Sequence, residues 1–207
     1  MTPSLTLVRR RLPAQQRSKQ RVERILLAAS TLLTTSSVDK LTTRRISELA
    51  DVNIATLYQF FPNKEAIIFA LYQRWLNEMD DVFDRMEMKQ SRQMGWRKLF
   101  SKIFDALNQV KTDLIVRDRL LKAMGMNEDL RQLDLDHSIL LSKRLAKLMA
   151  NQGAYLSEYE LQEHGTLIFH FERALVTPLA NAKGNDQEVL YKKGRDFLLE
   201  MISLAFR

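Results

Sequence analysis

The sequence of 207 residues contains no cysteine, and only six glycines and three histidines. Without cysteine there is no disulfide framework, no cysteine-bound zinc and no thiol nucleophile, which fits a reducing compartment. The glycines form none of the glycine-rich loops of dinucleotide or P-loop sites. The histidines, His137, His164 and His170, show no HExxH pattern, and no Ser–His–Asp arrangement can be placed. We therefore expect no metal, no cofactor and no enzymatic activity.

Long apolar runs are also missing. No segment reaches the ~18 uninterrupted apolar residues that read as a membrane-spanning helix. Near the start, a basic cluster follows a short apolar stretch instead of preceding a long one, which is the wrong order for a secretory signal. Because 45% of the residues are hydrophobic, the chain can still bury a sizeable core. We expect a folded cytoplasmic protein with no membrane partner.

The net charge of +7 is unevenly distributed along the chain. Residues 1–64 hold 11 Lys and Arg against 4 Asp and Glu, whereas residues 65–207 hold 21 of each. A basic module joined to a neutral body predicts a polyanionic partner for that module, because phosphate contacts supply most non-specific affinity for nucleic acid. Taken alone, the charge is also compatible with a solvated basic tail.

Apolar residues recur at helical spacing along the whole chain, and no alternating strand pattern of any length appears. The fold class is therefore predicted to be all-α. Helix patterns cover residues 17–36, 43–50 and 54–61, and the last two are separated by a break of three residues. We expect the first helix to pack against Leu49, Leu57 and Phe61, because three short helices need mutual burial to be stable.

The residues around this break resemble a known signature. The runs 46–50, 52–53 and 56–58, followed by Phe61 and 64–65, look like the DNA-binding signature of the TetR family of bacterial transcriptional regulators. In such a helix-turn-helix the second helix enters the major groove while the first crosses the backbone. Asp51 and Ala55 depart from the resemblance, since the family usually has glycine at the first position and often at the second. Aspartate tolerates left-handed backbone better than most residues, so we expect the turn to form. Asn53 and Asn63 are placed to cap the helices that follow them.

The resemblance implies an architecture of about nine helices in three parts. Residues 1–16 form a flexible basic arm, which either follows DNA or is disordered. Residues 17–63 form the three-helix DNA-binding domain. Residues 64–207 form a helical domain that binds an effector and dimerises.

Several residues of the helix-turn-helix have the chemistry to contact DNA. Thr56 and Gln59 can hydrogen-bond base edges, and the Ala55 methyl can touch a thymine methyl. By their match to the family motif, Tyr58 and Lys64 contact phosphates and fix the register. The predicted DNA-binding residues are Thr43, Arg44, Arg45, Asn53, Ala55, Thr56, Tyr58, Gln59 and Lys64.

Two apolar helices end the chain, and each contains a glycine that would let another helix approach closely. Such a pair can build the four-helix interface of a homodimer, as the resemblance implies, or it can close the core of a monomer. The predicted interface residues are Leu161, Gly165, Ile168, Leu175, Leu190, Gly194, Phe197 and Met201.

The resemblance further implies that the helical body encloses a small-molecule effector, which acts by binding one of two conformations more tightly. The aromatic, sulfur-containing or titratable candidates are Phe100, Phe104, Met124, His137, Phe169 and Phe171. The same residues can instead be ordinary core.

The leading hypothesis is a homodimeric regulator, a repressor, that binds a palindromic operator in double-stranded DNA and is released by an unknown effector. The alternative hypothesis keeps the DNA-binding module. It makes the protein a nucleoid-associated or division-linked regulator whose helical body binds a protein partner.

Overall fold

The computed structural model describes residues 16–88, 94–125 and 127–206, and throughout these ranges the regular structure is helical. The α-helices are α1 (Gln16–Thr35), α2 (Thr43–Leu49), α3 (Ile54–Phe60), α4 (Lys64–Met86), α5 (Trp96–Asn108), α6 (Leu114–Met124), α7 (Glu128–Asn151), α8 (Glu158–Ala174), α9 (Val176–Asn181) and α10 (Gly184–Ser203). Short 3-10 helices lie at Val38–Lys40 and Leu204–Phe206. The all-α prediction is confirmed. The predicted basic arm falls, apart from Gln16, outside the described residues.

The chain divides into two compact units. Of the described residues, those within 16–75 and 115–133 form the first, and those within 76–114 and 134–206 form the second. Helix α4 contributes its beginning to the first unit and its end to the second. No helix in the described ranges is both long and apolar enough to cross a membrane.

The core of the first unit contains apolar side chains of α1, α2 and α3. Helix α1 buries Val22, Ile25, Leu26, Ala28, Ala29 and Leu33, and α2 and α3 bury Ile46, Leu57 and Phe60. Phe61, which ends α3, is fully buried as expected. Helices this short depend on such mutual burial for their stability.

The prediction for Leu49 is wrong, because its side chain is 51% exposed. Helix α2 buries Ile46, Ser47 and Ala50. At roughly 100° of rotation per residue, the centre of that buried side lies about 45° from Ile46. Leu49 follows Ile46 by three residues, so it is rotated about 60° from Ile46 in the opposite direction. It therefore lies about 105° from the centre of the buried side. Spacing of i, i+3 therefore does not by itself place a side chain inside.

Two glycines of the second unit permit close approaches within one chain. A Cβ atom on Gly165 would lie 2.5 Å from the backbone oxygen of Ser142 on α7. A Cβ atom on Gly194 would lie 2.7 Å from Cδ1 of Leu175. The space that was predicted to admit a partner's helix at Gly165 and Gly194 is therefore filled by the same chain.

Polar contacts tie the helices of the second unit together. Tyr191 Oη donates to Asp105 Oδ1 at 2.7 Å, and Arg195 Nε donates to the same oxygen at 2.8 Å, which joins α10 to α5. Burial alone would raise the pKa of Asp105, but the hydrogen bonds from Arg195 and Tyr191 hold it below its usual value. Helix α7 is joined to α4 by Arg144, which pairs with Asp80 at 3.3 Å and Glu87 at 2.7 Å.

Candidate functional site

The turn between α2 and α3 has the geometry that its sequence requires. Thr42 caps α2, where its side-chain oxygen accepts a hydrogen bond from the Arg45 backbone N–H at 3.3 Å. Asp51 follows α2 with a φ of 49°, in the left-handed region. Aspartate adopts this conformation more readily than most residues that carry a Cβ atom, so the turn forms without glycine.

Asn53 begins the second helix of the motif. Its Oδ1 accepts a hydrogen bond from the Ala55 backbone N–H at 2.8 Å, which is the capping role expected for it. With the acceptor oxygen used in this way, the side-chain NH2 group remains as a hydrogen-bond donor. Asn53 can therefore hold α3 in place and still donate to DNA.

Most of the predicted readout residues share one exposed side of α3. Leu57 and Phe60 anchor the helix in the core of the first unit. Ala55, Tyr58 and Gln59 are exposed, and Thr56 is half-buried. The exposed set also includes Ile54, which is 39% exposed and was not among the predicted contacts. We call Ile54, Ala55, Tyr58 and Gln59 the α3 outward face.

A hydrogen bond joins two of the predicted DNA contacts. Thr43 Oγ1 and Tyr58 Oη lie 3.0 Å apart, across the two helices of the motif. One hydroxyl must donate to the other, so one O–H proton of the pair remains available to donate to a phosphate. The contact also holds the Tyr58 ring against the start of α2.

The two arginines at the start of α2 differ in what they contact. Arg44 Nε donates to Glu48 Oε1 at 3.0 Å in an exposed pair, and pairs of this kind contribute little stability. Arg45 Nη1 donates to the backbone oxygen of Lys40 at 2.8 Å, and Nη2 donates to Ser36 Oγ at 3.4 Å. Arg44 is therefore free to turn toward DNA at low cost, whereas Arg45 holds the connection that precedes α2.

Lys64 is half-buried at the first residue of α4. The preceding residue, Asn63, accepts a hydrogen bond from the Ala66 backbone N–H at 2.8 Å through Oδ1, as its predicted capping role requires. Among the described residues Lys64 makes no ion pair. It therefore contributes an unneutralised positive charge directly after the motif.

The predicted dimer residues do not form one exposed surface. Leu161, Gly165, Ile168 and Gly194 are buried in the chain itself, so the prediction is wrong for them. Leu175, Leu190 and Met201 are half-buried, and Phe197 is 54% exposed.

Several exposed apolar side chains lie on α8 and α10, including Leu167, Phe171 and Phe197. Leu167 and Phe171 are exposed one helical turn apart on α8. The rings of Phe171 and Phe197 meet edge to face with their centroids 5.5 Å apart. We call Leu167, Phe171 and Phe197 the α8/α10 apolar face. Sequence reasoning missed Leu167, although its i, i+4 spacing with Phe171 was a usable signal.

The predicted effector residues are likewise divided. Phe100, Phe104, His137 and Phe169 are buried in the second unit, whereas Met124 belongs to the first unit. Phe171 is 44% exposed and so does not share the burial of the other candidates. Helix α8 buries Leu161, Gly165, Ile168 and Phe169, and Phe171 lies roughly 105° from the centre of that side.

His137 is the polar residue of this set. Its Nε2 is buried without a hydrogen-bond partner in the described part of the chain, 3.7 Å from Asp80 Oδ2. Burial lowers the pKa of His137, and the carboxylate of Asp80 only partly opposes that effect. Close by in sequence, Asp134 pairs with Arg173 of α8 at 2.6 Å. The interior of the second unit thus contains polar groups among its aromatic ones.

The geometry of the first unit agrees with a family comparison. Residues 25–71 match the model of bacterial regulatory proteins of the tetR family. No curated protein sequence matches the chain.

Solved structures share the fold. A transcriptional regulator from Rhodococcus sp. Rha1 superposes with a TM-score of 0.72 at 13% identity, covering 88% of this chain and 96% of the other. A TetR-family transcriptional regulator from Streptomyces coelicolor superposes with a TM-score of 0.60 at 24% identity, covering 89% and 99%. A transcriptional regulator from Aquifex aeolicus VF5 gives 0.65 at 17% identity, covering 86% and 97%. These likenesses show that the chain shares its fold with the three regulators, and the family match places the DNA-binding signature at residues 25–71.

Proposed function

The chain carries the DNA-binding region of TetR-family transcriptional regulators, and from this premise we propose that it is a ligand-responsive repressor. It binds a palindromic operator in double-stranded DNA as a homodimer, acts in the cytoplasm, and leaves the operator when a small molecule binds its second unit.

The observation that carries the DNA-binding part is the construction of the helix-turn-helix. Leu57 and Phe60 fix α3 in a core, Tyr58 and Gln59 are exposed, and the basic residue Lys64 directly follows the motif. Proteins that bind DNA in this way position themselves through phosphate contacts and read sequence through base-edge contacts. The proposed phosphate contacts are Thr43, Arg44, Tyr58 and Lys64, and the proposed base contacts are Thr56 and Gln59.

Salt dependence tests the phosphate contacts. Lys64→Ala should weaken binding to all DNA sequences and reduce the slope of log affinity against log salt by about 1, because one counterion fewer is released. Tyr58→Phe removes only a hydroxyl, so it should weaken binding without changing that slope. Fluorescence anisotropy over a salt series measures both. An unchanged slope in Lys64→Ala would remove Lys64 from the interface.

Thr56 tests base readout. Thr56→Val keeps the shape of the side chain and removes its hydroxyl, so we expect the preferred sequence to change at one position of each half-site. Selection from a random DNA library gives the preferred sequence of each variant. A uniform loss of affinity with an unchanged sequence would mean that Thr56 touches only the backbone.

The homodimer is supported by the α8/α10 apolar face. Three large apolar side chains exposed together on two packed helices form the kind of patch that marks an interaction site. A second copy of the chain is the proposed occupant, because a small helix-turn-helix needs two half-sites, one helical turn of DNA or a multiple of it apart, to reach useful specificity. Sedimentation of the full chain should give twice the monomer mass.

The effector site is proposed in the second unit around Phe104, His137 and Phe169. Their burial supplies an apolar environment. His137 Nε2, which makes no hydrogen bond within the described residues, offers one hydrogen-bonding group to a ligand. A ligand that binds the DNA-free form should raise the midpoint of thermal unfolding and release the operator. A screen of small molecules with and without operator DNA tests this coupling. A protein partner that releases DNA, with no small molecule doing so, would favour the alternative hypothesis.

A further inference from the structure

We infer that the α3 outward face recognises the 5-methyl groups of thymine, so that each operator half-site is read mainly at A·T base pairs. The inference rests on the proposed function, since it names the DNA that the proposed repressor would select.

Ile54 places a large aliphatic side chain at the first residue of α3. It is 39% exposed, whereas Leu57 and Phe60 of the same helix are buried. It lies one turn before Tyr58 and next to exposed Ala55, so the outward side begins with two apolar groups. In the major groove the thymine methyl is the apolar group that a base pair presents, and apolar side chains recognise it.

Helix α3 lacks the side chains that most often read guanine. Guanine is read most often by a bidentate arginine or lysine, and the sequence of α3, Ile-Ala-Thr-Leu-Tyr-Gln-Phe, contains neither. Arg45 on α2 is engaged with the backbone oxygen of Lys40. Gln59 is the remaining long polar side chain of the outward face, and its amide matches the N6 and N7 groups of adenine.

The exposed groups of α3 form two rows along the helix. Ala55 and Gln59 lie four residues apart on the same side of the helix, as do Ile54 and Tyr58. The first row combines the Ala55 methyl with the Gln59 amide, which can read adenine. The second row combines the Ile54 side chain with the Tyr58 hydroxyl, which can bind a phosphate. The basic side chains of Arg44 and Lys64 lie on either side of α3 in the sequence. Because of their charge, the surface that includes Ile54 suits a DNA duplex better than an apolar protein surface.

The experiment has two stages, and both use the full chain. The first stage selects binding sites from a random DNA library, without any assumption about sequence. The second stage measures affinity for the selected site by fluorescence anisotropy after each thymine, one at a time, is replaced by deoxyuridine. That replacement removes the 5-methyl group and leaves the hydrogen-bonding pattern unchanged.

We expect one or two thymines in each half-site at which deoxyuridine lowers affinity about fourfold, the value that corresponds to one buried methyl group. In Ile54→Ala the fourfold difference at one of these thymines should disappear. Tyr58→Phe is the matched control, because it should weaken binding while the thymine to deoxyuridine ratio stays. Circular dichroism checks that each variant is folded.

The outcomes separate this inference from the proposed function. If no site is selected over random DNA, the proposed function fails and the inference fails with it. If a palindromic site is selected but no thymine methyl affects binding, the operator function stands and the inference is overturned. A deoxyuridine effect that persists in full in both Ile54→Ala and Ala55→Gly would also overturn it. Impaired repression in Ile54→Ala with unaltered DNA binding would assign Ile54 to a protein contact instead.

Discussion

The α3 outward face and the α8/α10 apolar face expose different chemistry. The first combines the apolar Ile54 and Ala55 with Tyr58, Gln59 and basic neighbours, whereas the second consists of the apolar Leu167, Phe171 and Phe197. An apolar pattern marks the buried side of a helix only when the other side is polar. Where both sides carry apolar residues, the pattern does not distinguish the core from an interface.

The largest expected effect would come from charging the α8/α10 apolar face. The double variant Phe171→Glu and Phe197→Glu should weaken dimerisation by on the order of 100-fold, since it replaces two proposed anchors with charges that an interface cannot desolvate. Sedimentation over a concentration series measures the change. Leu27→Glu is the control, because it charges an exposed leucine of the first unit and should leave the dimer intact. If the double variant dimerises as tightly as the unmodified chain, the α8/α10 apolar face is not the dimer interface.

Gly165→Ala tests whether the glycine of α8 serves the core or the dimer. Its new Cβ atom would lie 2.5 Å from the Ser142 backbone oxygen, which cannot move without moving α7. We expect the free energy of unfolding to fall by about 1–3 kcal/mol, as for other overpacked cores. Gly95→Ala is the matched control, because a Cβ atom at Gly95 has nothing within 4 Å. Loss of the dimer with an unchanged free energy of unfolding would mean that Gly165 lies in the dimer interface.

A smaller effect is expected at the turn of the first unit. Asp51 has a φ of 49°, which β-branched residues avoid strongly. Asp51→Val should lower the free energy of unfolding by about 1–2 kcal/mol, whereas Asp51→Gly should not lower it, because glycine adopts this conformation freely. Urea denaturation of the three proteins gives the comparison. Equal loss in both variants would point to the ion pair of Asp51 with Arg24 rather than to the backbone.

The smallest expected effect is a pH dependence of stability that arises from the second unit. All three histidines belong to the second unit, and burial lowers the pKa of His137 below its ordinary value of about 6.5. Between the two pKa values the unfolded chain binds more protons than the folded one, so stability should decrease as pH falls below about 6.5. His137→Gln should make the free energy of unfolding less dependent on pH in that window. His170→Gln, at an exposed position, serves as the control.

Much of the helix-turn-helix was predictable because its determinants are local. Asn53 and Asn63 are capping residues by type and position, and each caps the helix that was expected from it. Asp51 was expected to tolerate a left-handed turn, and it has that conformation. Caps and turns depend on a side chain and the backbone within a few residues, so the sequence contains the necessary information.

Side-chain placement on the longer helices was less predictable. Leu49 and Phe171 were both assigned inward, and both lie about 105° from the centre of the buried side of their helix. The apolar residues of such a helix cover a wide arc, and only the neighbouring elements decide which part of that arc is enclosed.

The sequence by itself determined the helical class, the turn and caps of the DNA-binding motif, and the concentration of positive charge in its N-terminal third. These properties follow from composition and from contacts between residues close in the chain. Only the tertiary structure decided that Ser142 lies over Gly165, that Phe171 meets Phe197 in solvent, and that Arg45 holds the Lys40 carbonyl. Each of these depends on which surface packs against which, and that is a property of the whole fold and not of any one segment.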